Sequence, residues 1–372
     1  MLDLLSLSNF KSIKEEDFEL VNLTLFSGLN GMGKSSALQS LLLLRQSYEK
    51  HTLPNTGLSL SGDYVHLGNG KDLLFNNAEQ EFIKIEACWT DSTLNYIFDY
   101  IENSDMQPIN SEQSEIDGNP FEEALFVSKF QYLSAERISP KSVYDVSEYA
   151  VNQRRSLGTK GEYTAHFLSQ HGDKNITIHS LQHKSAPTSY LIDNLNAWMS
   201  DITPGTKVIT KLIPEINQAS LHYQFSSATE LTEKFRPENT GFGLTYVLPV
   251  VTAILSARPG DLLIIENPES HLHPSGQALV AKMIAIAAES GVQIIIETHS
   301  DHFLNGIRTS VKSKDIESEN VLVYFLYRNQ DQDEHCALVD KLEIDSKGRI
   351  DHWPEGFFDE WDKSLSTLLK DD

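Results

Sequence analysis

The chain has 372 residues and a formal net charge of −23. That length points to one large domain with insertions or to two domains, and a 40% hydrophobic content can build a full core. Such acidity argues against non-specific nucleic-acid binding over the whole surface, although a local basic patch or a basic partner stays open. The only two cysteines, Cys88 and Cys336, are too few for a disulfide framework or a cysteine zinc site. The opening Met1-Leu-Asp-Leu-Leu lacks the basic segment of a secretory signal, and no apolar run approaches membrane-spanning length. A cytoplasmic protein with no membrane association is the expectation.

Leu2 to Leu7, Phe18 to Leu20 and Leu23 to Ser27 read as strands, with a turn at Asn9-Phe10-Lys11-Ser12. A helix is expected over 35–48. From Leu58 to Tyr100 the pattern is β-rich: Tyr64 to Leu67, Leu73 to Phe75, Phe82 to Trp89 and Leu94 to Tyr100 suggest an antiparallel sheet. The acidic stretch Glu102 to Glu122 reads as a mobile surface loop. Phe130 to Leu133 returns as a strand, and Pro140 to Gly161 as an exposed connection carrying Arg154-Arg155. Helices are expected over 162–170, 189–200 and 244–257; Val208 to Phe225 has no clear pattern.

In the last third, apolar runs alternate with helical ones. Leu262 to Ile265 and Val292 to Ile296 are buried strands, 277–289 is a helix, and another starts near His302. Val321 to Tyr327 and Ala337 to Ile344 are strands. Continuous apolar strands separated by helices predict an α/β fold, a mostly parallel sheet covered on both faces. The expected division is 1–50 and 231–327 for the two parts of the core, 51–135 for a β-rich subdomain, 136–230 for a helical or mixed insertion, and 328–372 for a tail.

The motif with the most chemistry is Gly28-Leu29-Asn30-Gly31-Met32-Gly33-Lys34-Ser35-Ser36, directly behind a strand and opening a helix. It matches G-x-x-x-x-G-K-[ST], the pattern of a phosphate-binding loop. Its glycines let successive N–H groups point at phosphate oxygens, and the helix aims its positive end at the same anion. Lys34 offers a charge for the terminal phosphates and Ser35 a hydroxyl for Mg²⁺. Far downstream, Leu262 to Ile265 ends in Glu266, the pattern of a core strand presenting an acid to Mg²⁺, directly or through water. ATP and Mg²⁺ are the expected ligands.

These residues carry a family resemblance. Leu262-Leu-Ile-Ile-Glu-Asn-Pro-Glu-Ser-His-Leu-His-Pro274 resembles the second nucleotide motif of ABC-type ATPases of the SMC, RecF and OLD branch. Glu297-Thr-His299-Ser300 resembles their switch histidine, and Asn239-Thr-Gly241-Phe-Gly243 their signature loop. Tyr132-Leu-Ser-Ala-Glu-Arg-Ile-Ser-Pro140 and Trp353-Pro-Glu-Gly-Phe-Phe-Asp359 are similar to a group of bacterial OLD-like AAA-type ATPases with a short C-terminal tail domain. The resemblance implies a P-loop head of ABC type that hydrolyses ATP. Two heads would clamp the nucleotide, with Gly241 and Gly243 of one facing the phosphate loop of the other. It further implies a homodimer or larger homo-oligomer gating a separate effector, a nuclease or toxin, in phage defence. A DNA-end-binding repair ATPase and a slow, nucleotide-gated scaffold are the alternatives.

One position departs from the family pattern. Its second acid, the base or water-orienting group, is replaced by Asn267, which cannot accept a proton but can orient a water. Glu269, two residues on, is the expected substitute, so that Glu269→Gln should abolish turnover and spare ATP binding. His299 is placed near the γ-phosphate by the same resemblance. Lys11 reads equally as a phosphate contact or a turn residue, and Gln39 and Gln131 are rival candidates for a water- or Mg²⁺-linked glutamine. His271 and His273 lack a spaced third ligand for zinc. Arg137 and Arg154-Arg155 read as exposed arginines, open to nucleic acid or a partner, and Phe357, Phe358 and Trp361 as packing of the tail.

Overall fold

The computed structural model describes residues 1–28, 31–226, 230–328, 336–359, 364–365 and 367–369. Leu29, Asn30 and Trp361 therefore lie outside the described residues. The chain opens with strands β1 (Leu2–Phe10), β2 (Ile13–Glu19) and β3 (Leu23–Gly28), then helix α1 (Lys34–Glu49) and β4 (Gly57–Ser59). Next come β5 (Phe82–Trp89), β6 (Ser92–Asp99), β7 (Met106–Pro108), β8 (Glu115–Asp117), β9 (Phe130–Leu133) and β10 (Val143–Asp145). Helices α2 (Thr164–His171) and α3 (Leu191–Ile202) precede the hairpin β11 (Thr206–Ile213) and β12 (Gln218–Phe225). The last third runs α4 (Phe242–Ser256), β13 (Leu262–Glu266), α5 (Pro274–Glu289), β14 (Gln293–Glu297), α6 (Asp301–Lys312), β15 (Val321–Tyr327) and β16 (Leu338–Glu343).

The central sheet has the order β16-β15-β3-β14-β13-β9 and is parallel except for β16. Its inner strands are mostly apolar because both faces are covered. Leu263, Ile265, Ile294 and Ile296 face a core built with α3, α4, α5 and α6. Their neighbours Leu262, Ile264 and Ile295 face a second core shared with α1 and the antiparallel sheet β2-β1-β5-β6-β8. The α/β class and the antiparallel subdomain are as the apolar runs imply. Parallel register brings Gly28, Glu266 and Glu297 to one edge of the sheet, with Glu266 beside Glu297 and Glu297 beside Phe26. Ligands in open α/β sheets bind at this carboxyl edge.

Several segments differ from their sequence pattern. The acidic stretch 102–122 is ordered around two short strands: β7 pairs with β4, β8 extends the antiparallel sheet, and buried Gln107 bonds Ile101 and Ser104. The stretch 140–161 is no exposed connection, since β10 pairs with β12 and Val151 and Leu157 are buried. Tyr64 to Leu67 and Leu73 to Phe75 make only isolated bridges, at His66 and Leu74. In the tail, Phe357 is fully buried and meets Phe325 and Phe358.

Candidate nucleotide-binding site

The site is built where β3 passes into α1. Gly28 has φ +143, and a Cβ there would lie 2.0 Å from the carbonyl oxygen of Leu326 on β15, so only glycine fits. Gly33, at φ +94, is the N-cap of α1, and a Cβ would meet Ser12 Oγ at 2.7 Å. The hairpin turn before β2 thus buttresses the loop. Gly31 also has positive φ, +77, and Met32 packs on the second core. Ser36 is buried, its N–H donating to Gly33 O at 2.9 Å. Lys34 is 3% exposed and its Nζ donates to Gly28 O at 2.9 Å, folding the side chain over the loop. Burial holds its pKa below the usual value, opposed by Glu297.

Ser35 does not pair directly with Glu266. Its Oγ donates instead to Glu297, at 2.9 and 3.1 Å from the two carboxylate oxygens. Burial, and then the repulsion of Glu266, push Glu297 up to about 7, with Ser35 and Lys34 opposing. Glu266 is held in place by the neighbouring strand: Tyr132 Oη donates to Oε1 at 2.9 Å and Ala135 N–H to Oε2 at 2.9 Å. Arg137 Nη2 donates to the main-chain oxygen of Glu266 at 2.8 Å. Arg137 is no exposed arginine: it is 4% exposed, and burial brings its pKa down to about 10 against the attraction of Glu266, Tyr132 and Glu269.

The loop after β13 is backed onto β14. Asn267 has φ +44 and donates its N–H to Glu297 O at 2.8 Å, while its Oδ1 is buried without a partner. Glu269 is buried, and its Oε1 accepts the N–H of His299 at 3.0 Å. Burial raises the Glu269 pKa more than this bond lowers it. The His299 ring, partly exposed, is 3.9 Å from Glu297 Oε1. Its pKa is lowered by burial and by the charge of Lys34, against a raising bond to the Gly28 main chain.

Gly243 lies where a Cβ would be 2.6 Å from the carbonyl oxygen of His271, whereas Gly241, the N-cap of α4, faces open space. Phe242 between them is 57% exposed. His271 stacks edge-on with Tyr246, and His273 caps α5 by accepting Ser275 N–H.

Lys11 and Gln39 bond each other, and Gln131 bonds main-chain groups. Lys11 Nζ donates to Gln39 Oε1 at 2.8 Å, and Lys11 belongs to the tight β1–β2 turn. Gln131 is a structural clamp: its Nε2 donates to Tyr132 O and Gly158 O, and its Oε1 accepts Leu157 N–H. Arg154 pairs with Glu49 over the ring of Tyr149, and Arg155 binds Ser256 O and Asp261.

The arrangement thus gathers Lys34, Ser35, Glu266, Asn267, Glu269 and His299, and beside them Glu297, Tyr132 and Arg137. Glu297 had a legible signal: it ends the apolar run Val292 to Ile296 as Glu266 ends Leu262 to Ile265. Among the described residues no group of three or more His, Cys, Asp or Glu is placed to hold an ion alone. Mg²⁺ bound with a nucleotide relies on phosphates and waters, and a serine hydroxyl backed by buried carboxylates fits that donor set. No helix among the described residues is long and apolar enough to cross a membrane.

Residues 23–305 match the family described as "AAA domain, putative AbiEii toxin, Type IV TA system", and residues 316–368 match a "Protein of unknown function (DUF3696)". Among solved structures, an SMC head bound to the C-winged helix domain of ScpA is similar at 13% identity and TM-score 0.53, covering 92% of this chain and 98% of that one. The SMC head domain from Thermotoga maritima aligns at 11% identity and TM-score 0.48, over 92% of this chain and 99% of that one. No curated protein matches. The fold is that of an SMC-type, ABC-class P-loop head.

Proposed function

This chain belongs to the AAA-domain family described as putative AbiEii toxin, and we propose that it binds ATP with Mg²⁺ and hydrolyses it to ADP and phosphate. The observation that carries this is the meeting of Lys34 and Ser35 with Glu266 and Glu297 at three adjacent strand ends. The loop amides and Lys34 bind the phosphates, and catalysis is positioning with charge neutralisation. Ser35 and Glu266, with Glu297 behind Ser35, would hold Mg²⁺, which supplies neutralisation of phosphate charge when bound. In hydrolysis the water oxygen bonds to the γ-phosphorus, the β–γ bridging oxygen leaves with ADP, and the water's proton passes to a base. Glu269 is that base in this reading, Asn267 orients the water and His299 faces the γ-phosphate. Phosphate release from ATP by the purified chain with Mg²⁺, abolished in Lys34→Ala, tests it; equal release by that variant rejects it.

The ATP-bound head dimerises, with Gly241 and Gly243 of one copy meeting the nucleotide of another, and so gates a separate effector in anti-phage defence. The family to which the chain belongs and its SMC-head fold support this reading. Co-purification of a partner from the native operon, with and without ATP, tests it.

A second reading, a clamp that holds ATP and turns over slowly, is favoured by Asn267 in the place of an acid. Its buried, unpartnered Oδ1 is not a proton acceptor. A single-turnover measurement separates the two: a bound ATP that persists for many minutes identifies the clamp.

A further inference from the structure

We infer that Glu297 is the positioning residue that sets the hydroxyl of Ser35 for a divalent cation. The inference rests on the ATP-binding reading above and assigns to the switch strand a part in the cation site.

Three acids, Glu266, Glu269 and Glu297, are gathered at the strand ends, and their bonds differ. Each oxygen of Glu266 accepts one bond, from Tyr132 Oη and from Ala135 N–H, and none from Ser35. Glu269 gives Oε1 to His299 N–H. Glu297 alone among them bonds Ser35, and it does so with both oxygens. A serine hydroxyl has one hydrogen and two lone pairs. With the hydrogen committed to the carboxylate below, the lone pairs are left for a cation on the phosphate side of the loop. A hydrogen turned the other way would oppose the cation.

The backbone fixes this geometry. β14 lies between β3, which leads into the loop, and β13. Glu297 O accepts Asn267 N–H at 2.8 Å, and Thr298 N–H donates to Phe26 O at 3.0 Å. The main chain at Glu297 is thereby fixed between its neighbours, and the Ser35 hydroxyl holds the carboxylate at the first turn of α1. Two residues on is His299, so one short segment joins the cation-side hydroxyl to the imidazole beside the loop.

The test uses the full chain and a fluorescent ADP analogue, which avoids turnover, with affinity measured in Mg²⁺ and in EDTA. In Glu297→Gln the amide NH₂ can donate to Ser35 Oγ, occupying a lone pair and turning the hydroxyl hydrogen outward. The Mg²⁺-dependent gain in affinity should shrink about 10-fold or more, as for other groups that orient a metal ligand, while affinity in EDTA changes less than about twofold. Ser35→Ala should lose the same gain, and the double variant should lose no more than Ser35→Ala alone. Glu297→Asp, which keeps the charge but is one methylene shorter, is measured beside it with both folds checked by denaturation. A wild-type Mg²⁺ gain in folded Glu297→Gln and Glu297→Asp, or additive losses in the double variant, overturns the inference. Absence of nucleotide binding in the wild type itself would instead reject the function proposed above.

Discussion

Glu269 Oε1 accepts the main-chain N–H of His299 at 3.0 Å, so an acid from the loop after β13 holds the histidine at the end of β14. In the function proposed above, Asn267 and Glu269 would divide what a single acid does at the second position. Glu269→Gln is a sharp test because glutamine retains an oxygen acceptor for His299 while removing the charge. We expect it to bind ATP as the wild type does and to lose turnover by about 10²–10⁴-fold, the range for losing a proton-transfer group. Glu269→Ala should lose the His299 contact as well. Wild-type turnover in Glu269→Gln would reduce Glu269 to a peg for the histidine loop.

The buried charges behind Glu266 yield a stability prediction. Arg137 is desolvated, is attracted by Glu266 and Glu269, and bonds the Glu266 carbonyl. Arg137→Leu should destabilise the fold by about 3 kcal/mol, because it removes the cation near buried Glu269 and the bond to the Glu266 carbonyl. Tyr132→Phe should cost about 1–3 kcal/mol, the worth of a hydrogen bond to a charged group. Urea denaturation of each variant checks both figures. Wild-type midpoints would mean that these bonds are not maintained in solution.

The parts of the site that the sequence made legible are those in which one strand end carries one chemical group. Gly28 to Ser36 and Glu266 follow from apolar runs that stop at a functional residue, and His299 from the family resemblance of Glu297 to Ser300. Glu297 obeys the same rule, but its neighbour His299 carries the more familiar chemistry. Tyr132 and Arg137 were not legible in their roles, because both act through Glu266, more than a hundred residues away. Gln131 misleads for the opposite reason: a polar residue on a core strand looks catalytic until its three backbone bonds are seen. The short strands β7 (Met-Gln-Pro) and β8 (Glu-Ile-Asp) have no strand pattern of their own, and only their partners β4 and β6 define them.

His166 gives a pH dependence outside the site. Its ring is fully buried, Nδ1 accepts Ser147 N–H at 3.3 Å, and burial holds its pKa below 6.5 despite Glu148 at 3.4 Å from Nε2. The unfolded chain then binds a proton more readily than the folded one. Stability from this group is therefore fully present above pH 6.5 and falls as pH drops from there toward the folded pKa. Relative to His166→Gln, the wild type should lose stability between pH 7.5 and 5.5, as measured by urea unfolding at each pH. Parallel curves for the two proteins would contradict a buried neutral imidazole.

The two glycines of the signature-like loop separate a site within one copy from a site shared by two. Gly243 cannot gain a Cβ without a 2.6 Å collision with His271 O, so Gly243→Ala disturbs the fold itself. Gly241 has φ −62 and open space around its Cα, so Gly241→Ala should fold and bind ATP as the wild type does. If a second copy brings its nucleotide against this loop, the added methyl collides only in the assembled site. Turnover should then fall in Gly241→Ala while stability does not. Mixing it with Lys34→Ala should restore part of the activity, because the intact phosphate loop of the first then meets the intact glycine loop of the second. Wild-type turnover in Gly241→Ala, or no recovery in the mixture, would place the whole reaction within a single copy.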